Sequence, residues 1–393
     1  MRPYLASVAI VLVGVFPLSA EEPKVKTADF PTVDKLPVVA ELPDPFLRTD
    51  GSRLRTKDEW DSQRKELLAR ILHYEYGALP PVAKNVTAKE RGSKKIDDTG
   101  ATERELSLTM GPAGAVQTQL FLTVPAGKGP FPAVITGDLG WGRVKPAIVA
   151  EISKRGYILA EFSREQIATD NAQKKGLYAA YPDYDGGRLA AWAWGYHRVL
   201  DYLLTLDNVD KKHVAVTGHS RGGKTALLAG ASDERIALTA PNNSGCGGAG
   251  CYRLQADKSE TIQAITKSFP FWFTPHFTDF IGKVDRLPFD QHTVKALVAP
   301  RALLSTEALG DLWANPKGTQ QSYTAAKEVY RFLGAGDRIG IAFRPGKHEQ
   351  NLEDWKVLLD FADQKFLGKK VDRRFDVLAF PDAEKGYSWK APR

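Results

Sequence analysis

The chain has 393 residues, of which 43% are apolar and 26% charged, and its 54 basic against 47 acidic side chains give a formal charge of +7. That balance describes a globular protein with a large core and excludes a disordered, fibrous or membrane-embedded chain. Basic residues are scattered among acids with no aromatic-interleaved basic stripe, so nucleic acid is not an expected partner; an acidic polysaccharide bearing uronic acids is.

The first twenty residues, MRPYLASVAIVLVGVFPLSA, set Arg2 before an apolar run from Leu5 to Phe16 and end at Ser19-Ala20, the pattern of a signal peptide. The run falls short of the roughly 20 apolar residues of a spanning helix, and no later segment approaches that length. Residues 21–393 are therefore expected to be exported as one soluble domain, with no membrane anchor and as a monomer. Glu21 to Phe46 carries five prolines and reads as an extended surface segment. Thr56 with Glu59 resembles a capping box, after which Trp60, Leu67, Leu68, Ile71 and Leu72 recur at helical spacing. Residues 86–124 alternate as edge strands separated by the polar loop RGSKKIDDTG.

Beyond residue 124 short apolar runs alternate with amphipathic stretches. Strands are expected at 133–136, 157–161, 213–217, 236–240, 302–305 and 339–343, and helices near 146–155, 188–204, 222–231, 320–333 and 352–366. This is the signature of a three-layer α/β fold, a mainly parallel twisted sheet with helices on both faces. In the helix at 188, Leu189, Trp192, Tyr196, Val199, Leu200 and Leu203 fall on one face. The two cysteines, Cys246 and Cys251, could close a small disulfide loop or stay as buried free thiols.

The chemistry concentrates in HVAVTGHSRGGKTALLAGA, where Gly218, Ser220 and Gly222 form G-x-S-x-G between a strand and a helix, the nucleophile elbow of α/β-hydrolases. A serine hydroxyl needs a positioned base. His348, in RPGKHEQN after the last strand and before the final helix, stands where this fold presents one. His73, His197 and His213 lie within expected helices or strands and read as structural, His219 belongs to the elbow, and His276 and His292 stay open. For the orienting carboxylate, the loop TEALGDLWANP offers Asp311, the preferred acid, and Glu307 as the alternative. The backbone amide of Arg221 is one oxyanion donor, and the loop TGDLGWG could add another. Lys224 lies one turn beyond Ser220, where it either reaches a bound acyl group or is simply solvated.

GHSRGGK, NNSGCGGAGCYR, DLWANP and KHEQ together resemble carbohydrate esterase family 15, the glucuronoyl esterases, over most of residues 45–370. The resemblance implies a secreted α/β-hydrolase that needs no metal or other cofactor and cleaves esters between 4-O-methylglucuronic acid branches of xylan and lignin alcohols. It implies Ser220 as nucleophile, Arg221 as an oxyanion contributor through its side chain as well, His348 as base, and Lys224, Trp313 and Glu260 as contacts to the sugar. Two departures stand out. Asn243 occupies the place where fungal members carry the acidic Glu, while Asp311 stands two residues before Trp313, where bacterial members often have an acid. His219 and Glu349 occupy the places of a bridged cysteine pair in fungal members, so the base loop must be held by packing. Both favour the bacterial branch. An acetylxylan or other carbohydrate esterase on the same fold is the alternative reading; a non-catalytic polysaccharide-binding relative is disfavoured by the intact Ser220 and His348.

Overall fold

The computed structural model describes residues 30–392 apart from Lys84. The expected signal peptide, its cleavage site and the start of the proline-rich segment lie outside the described residues. In chain order, α1 (Trp60–Ile71) precedes the meander β1 (Val86–Ile96), β2 (Ala101–Met110) and β3 (Val116–Val124). Then follow β4 (Phe131–Thr136), α2 (Pro146–Lys154), β5 (Ile158–Phe162), the short helices α3 (Arg164–Ile167) and α4 (Leu177–Ala180), α5 (Arg188–Leu203), β6 (Val209–His219) and α6 (Arg221–Ser232). The remainder comprises β7 (Leu238–Asn242), α7 (Ile262–Ser268), α8 (Gln291–Ala296), β8 (Ala302–Ala308), α9 (Pro316–Phe332), β9 (Ile339–Arg344) and α10 (Leu352–Leu367).

The strands build one sheet in the order β1-β2-β3-β5-β4-β6-β7-β8-β9. Pairing is antiparallel from β1 to β5 and parallel from there to β9. Successive residues of the parallel strands point to opposite faces. Ala133, Ile135, Ile158, Val214, Val216 and Leu303 enter a large core with Leu189, Leu200 and Leu227 of α5 and α6. Val134, Leu159, Ala215 and Leu304 enter a smaller core with Ile152 of α2 and Trp355 and Leu358 of α10. Helices thus cover both faces, which explains why β5, β7 and β8 are buried along their whole length and read as continuous rather than alternating runs. This is the expected α/β-hydrolase architecture. β4 is flanked by β5 on one side and β6 on the other, and the chain after the carboxyl end of β6 opens beside that reversal of strand order, where α/β sheets place their sites.

Some expectations shift. The stretch 91–100 is not a loop: Arg91–Ile96 continues β1, and only 97–100 turns. Its polar sequence hides the strand because β1 is the sheet edge and is exposed on both faces, where lysines discourage edge-to-edge pairing. The strand expected at 236–240 lies at 238–242, since the pairing sets Leu238 beside Ala215 and Asn242 beside His219. The apolar face of α5 broadens to its whole circumference, as every residue except Asp201 is buried. The capping box at Thr56 forms, with the Glu59 carboxylate accepting from the Thr56 amide at 2.9 Å. The C-terminal tail, unread in the sequence, packs back onto the body: Trp389 stacks on Tyr387 at 4.2 Å and donates from Nε1 to Leu42 O at 2.7 Å.

Leu200 on α5 is fully buried, so Leu200→Ala leaves a cavity between sheet and helix and is expected to cost about 2–5 kcal/mol. Urea unfolding should show a lower midpoint with an unchanged slope.

Candidate active site

The strand β6 must reverse into α6 within one residue, and that residue is Ser220, with φ 56° and ψ −120°. A side chain on Gly218 would meet the backbone of Gly222 at 2.5 Å, and one on Gly222 would meet Asp138 Oδ1 at 2.0 Å. The two glycines flanking Ser220 are therefore required by contact, as the motif implied. Asp138, from the loop after β4, braces the turn from below: its Oδ2 accepts the amide of His219 at 2.7 Å and its Oδ1 pairs with the buried Arg164. The TGDLGWG loop, read in the sequence as a source of an oxyanion donor, contributes this carboxylate to the elbow. At the start of α6 the Arg221 amide belongs to the first turn, whose N–H groups have no partner within the helix.

His348 sits between β9 and α10, and its Nδ1–H donates to Asp311 Oδ2 at 2.5 Å. Because a carboxylate only accepts, this bond leaves Nε2 of the neutral ring as the acceptor, the tautomer a general base needs. Asp311 is 5% exposed and follows β8 at the carboxyl edge of the sheet. Glu307 lies inside β8 itself, fully buried near Lys295. Burial pushes its carboxyl up to about 8, so at neutral pH it holds its proton and cannot stabilise an imidazolium.

Ser220, Arg221, Lys224, Asn243, Glu260, Trp313 and His348 line one recess of about 220 Å³, closed by Phe269 and Trp272. The Arg221 guanidinium lies against Phe269 and Trp272 at 4.8 and 4.7 Å and is paired with Asp170, which also accepts from Trp272 Nε1 at 2.7 Å. Lys224 is 4% exposed, and its ammonium donates to Ser244 O at 2.6 Å and Cys246 O at 2.5 Å, with Glu260 Oε2 at 3.5 Å. It is thus not solvated. Glu260 and Trp313 are joined through the Glu260 amide and Trp313 O at 3.0 Å, while the indole of Trp313 stays half exposed over the recess.

The other histidines sort cleanly. His197 is buried against Ala229 O, His213 bonds Asp210, His73 stacks with His276, and His292 is buried with Nε2 on Pro43 O. His219 packs its ring on His348 at 4.4 Å. Cys246 and Cys251 are buried free thiols, so the disulfide reading is set aside. Asp138, Asp170, Phe269 and Trp272 were not singled out in the sequence. Asp138 alone had a signal, as the acid in TGDLGWG; the others reach the site from loops distant in sequence.

Glu307 also gives a pH signature. In the folded chain it keeps a proton up to about pH 8 that the unfolded chain releases near pH 4.5, so stability should fall as pH rises through that window. Glu307→Gln should flatten the fall while leaving turnover at pH 7 within about threefold, a small change beside the effect expected of a triad member. Urea midpoints from pH 5 to 8 and a pH 7 assay check both.

A family model described as glucuronyl esterase of fungi matches residues 113–334. Over 390 residues the chain is 31% identical to a carbohydrate esterase from an unknown prokaryotic organism, covering 83% of this chain and 90% of that one. It is 33% identical over 316 residues to a 4-O-methyl-glucuronoyl methylesterase of Podospora anserina, covering 78% of this chain but only 63%, under two thirds, of the fungal protein. A family 15 glucuronoyl esterase structure from Caldicellulosiruptor kristjansonii superposes with a TM-score of 0.80 at 30% identity, covering 92% of this chain and 99% of that one. With an elbow serine and a carboxylate-bound histidine in one recess, and with the family model spanning more than half of its length, the chain belongs to the glucuronoyl esterases of carbohydrate esterase family 15 and is a carboxylic-ester hydrolase.

Proposed function

We propose that the chain cleaves esters joining 4-O-methylglucuronic acid branches of xylan to lignin alcohols, through an acyl-enzyme on Ser220. The observation that carries this reading is the recess itself, which sets Ser220 and His348 beside Lys224, Glu260 and Trp313. Sugar hydroxyls both donate and accept, and the adjacent ammonium of Lys224 and carboxylate of Glu260 offer the complementary pair. The exposed indole of Trp313 supplies an apolar face for the uronate ring.

His348 Nε2 takes the proton of Ser220 as Oγ attacks the ester carbonyl, and Asp311 stabilises the imidazolium that results. The negative oxygen of the tetrahedral intermediate falls to the Arg221 amide and guanidinium. The imidazolium then gives its proton to the departing alcohol, and water, activated in the same way by His348, releases the uronic acid and restores Ser220. The residues of this mechanism are all supplied by the chain. The N-terminal pattern around Arg2 and Ser19-Ala20 supports export, where such substrates lie; among the described residues no helix is long and apolar enough to cross a membrane.

Asp311→Asn should lower kcat by about 10⁴-fold with little change in KM, since the histidine would then be held in the wrong tautomer. In a panel of methyl glucuronate, benzyl glucuronate, acetylated xylan and short acyl esters, the uronates should be preferred, and Lys224→Met and Trp313→Ala should depress uronate turnover far more than acetate turnover. Preference for acetyl esters would replace this reading with an acetylxylan esterase.

A further inference from the structure

The base and the acid come from different loops, one following β9 and the other following β8, and no covalent link joins them: Cys246 and Cys251, the only cysteines, are free and lie elsewhere. Something must nevertheless keep His348 Nδ1 and Asp311 Oδ2 at 2.5 Å. Backbone bonds from Leu309 N–H to Arg344 O and from Gly310 N–H to Gly346 O, each 2.9 Å, join the two segments ahead of the pair, and one buried side chain touches both loops at the pair itself. Asn243, directly after β7 and 1% exposed, accepts the amide of Ala308 on its Oδ1 at 2.7 Å and donates from Nδ2 to Glu349 O at 2.9 Å. Ala308 ends β8 three residues before Asp311, and its carbonyl accepts the Asp311 amide at 3.1 Å; Glu349 immediately follows His348.

We propose that Asn243 is a positioning residue of the catalytic pair, its amide closing a hydrogen-bonded ring that runs from Asn243 through Glu349 and His348 to Asp311, then through Ala308 back to Asn243. A primary amide suits this, because its oxygen accepts and its nitrogen donates from two separate atoms of a single short side chain. The backbone agrees: Asn243 has φ 42°, a left-handed conformation that asparagine tolerates better than most residues. A second layer supports the ring. Asn243 Nδ2 also approaches Asn242 Oδ1 at 3.3 Å, and that same oxygen accepts Nδ1–H of His219 at 2.7 Å, whose ring lies on His348. Asn242 is fixed in turn by its Nδ2 bond to Thr306 Oγ1 at 2.9 Å. The strand register supplies this alignment, with His219, Asn242 and Thr306 side by side across β6, β7 and β8.

The inference rests on the reading of His348 as base and Asp311 as its acid, and the test separates the two. Asn243→Gly keeps the left-handed backbone and removes the amide; Asn243→Asp keeps the shape and the bond to Ala308 but sets a carboxylate against the Glu349 carbonyl. With methyl glucuronate, both variants should lose about ten- to a hundredfold in kcat, the range that misplacement of a catalytic group produces, with KM within about twofold of wild type. The low-field proton resonance of a His348 Nδ1–H bonded to a carboxylate should be present in the wild type and lost or broadened in both. Wild-type kcat in both variants, a loss carried by KM, or a loss that matches only a reduced folded fraction by thermal melting, would overturn the proposal. His348→Gln is the reference: if it stays active the reading of the base fails, and if it is inactive while the Asn243 variants turn over normally, only the ring fails.

Discussion

The constraint on which the rest depends is the contact of β6 with α6 at the elbow. Ser220 sits in a sparsely populated positive-φ conformation that costs a non-glycine residue about 1–3 kcal/mol. It persists because the residues around it leave no other path. Gly218 and Gly222 touch backbone to backbone, Asp138 fills the space beneath, and the Ser220 amide donates to Asn242 O on the neighbouring strand at 3.0 Å. Packing behind the turn, rather than any feature of the serine itself, raises Oγ to the edge of the sheet.

Around that point the site is assembled from the carboxyl ends of parallel strands, and their polar residues are satisfied by one another. Asn242, Asn243 and Thr306 are buried, and the side-chain amides of both asparagines are hydrogen bonded. In a low-dielectric setting, unpaired groups of this kind would each cost several kcal/mol, so the network both stabilises the strand ends and restricts them to one arrangement.

The cations of the recess follow the same logic. A charge taken out of water must be compensated, and Lys224 is compensated by two carbonyls of the glycine-rich segment together with Glu260. Arg221 is compensated by Asp170 and by the faces of Phe269 and Trp272. Each arrangement fixes the side chain before substrate arrives, so little reorganisation is left to the reaction.

Much of this was legible in the chain. The elbow could be read because it depends on neighbours one or two positions apart, and the alternation of short apolar runs with amphipathic stretches sufficed for the parallel sheet. His348 could be singled out, and the acid narrowed to Asp311 or Glu307, because this fold presents them at fixed points in strand order. The edge strand through Arg91–Ile96 was hidden because exposure on both faces erases the period-2 pattern, and the all-round burial of α5 was hidden because it depends on what packs against its outer side. Glu307 and Asp311 are four residues apart and chemically alike; only burial inside β8 against a place beside His348 separates a carboxyl that keeps its proton from one that accepts the imidazole. The sequence by itself determined the fold class and singled out the elbow at Ser220 and the loop bearing His348, since these rest on local sterics and chain order. The tertiary structure decided which carboxylate meets His348, what holds Arg221 and Lys224, and that Asn243 bridges the loops after β8 and β9, because each depends on groups that meet across strands and loops far apart in the chain.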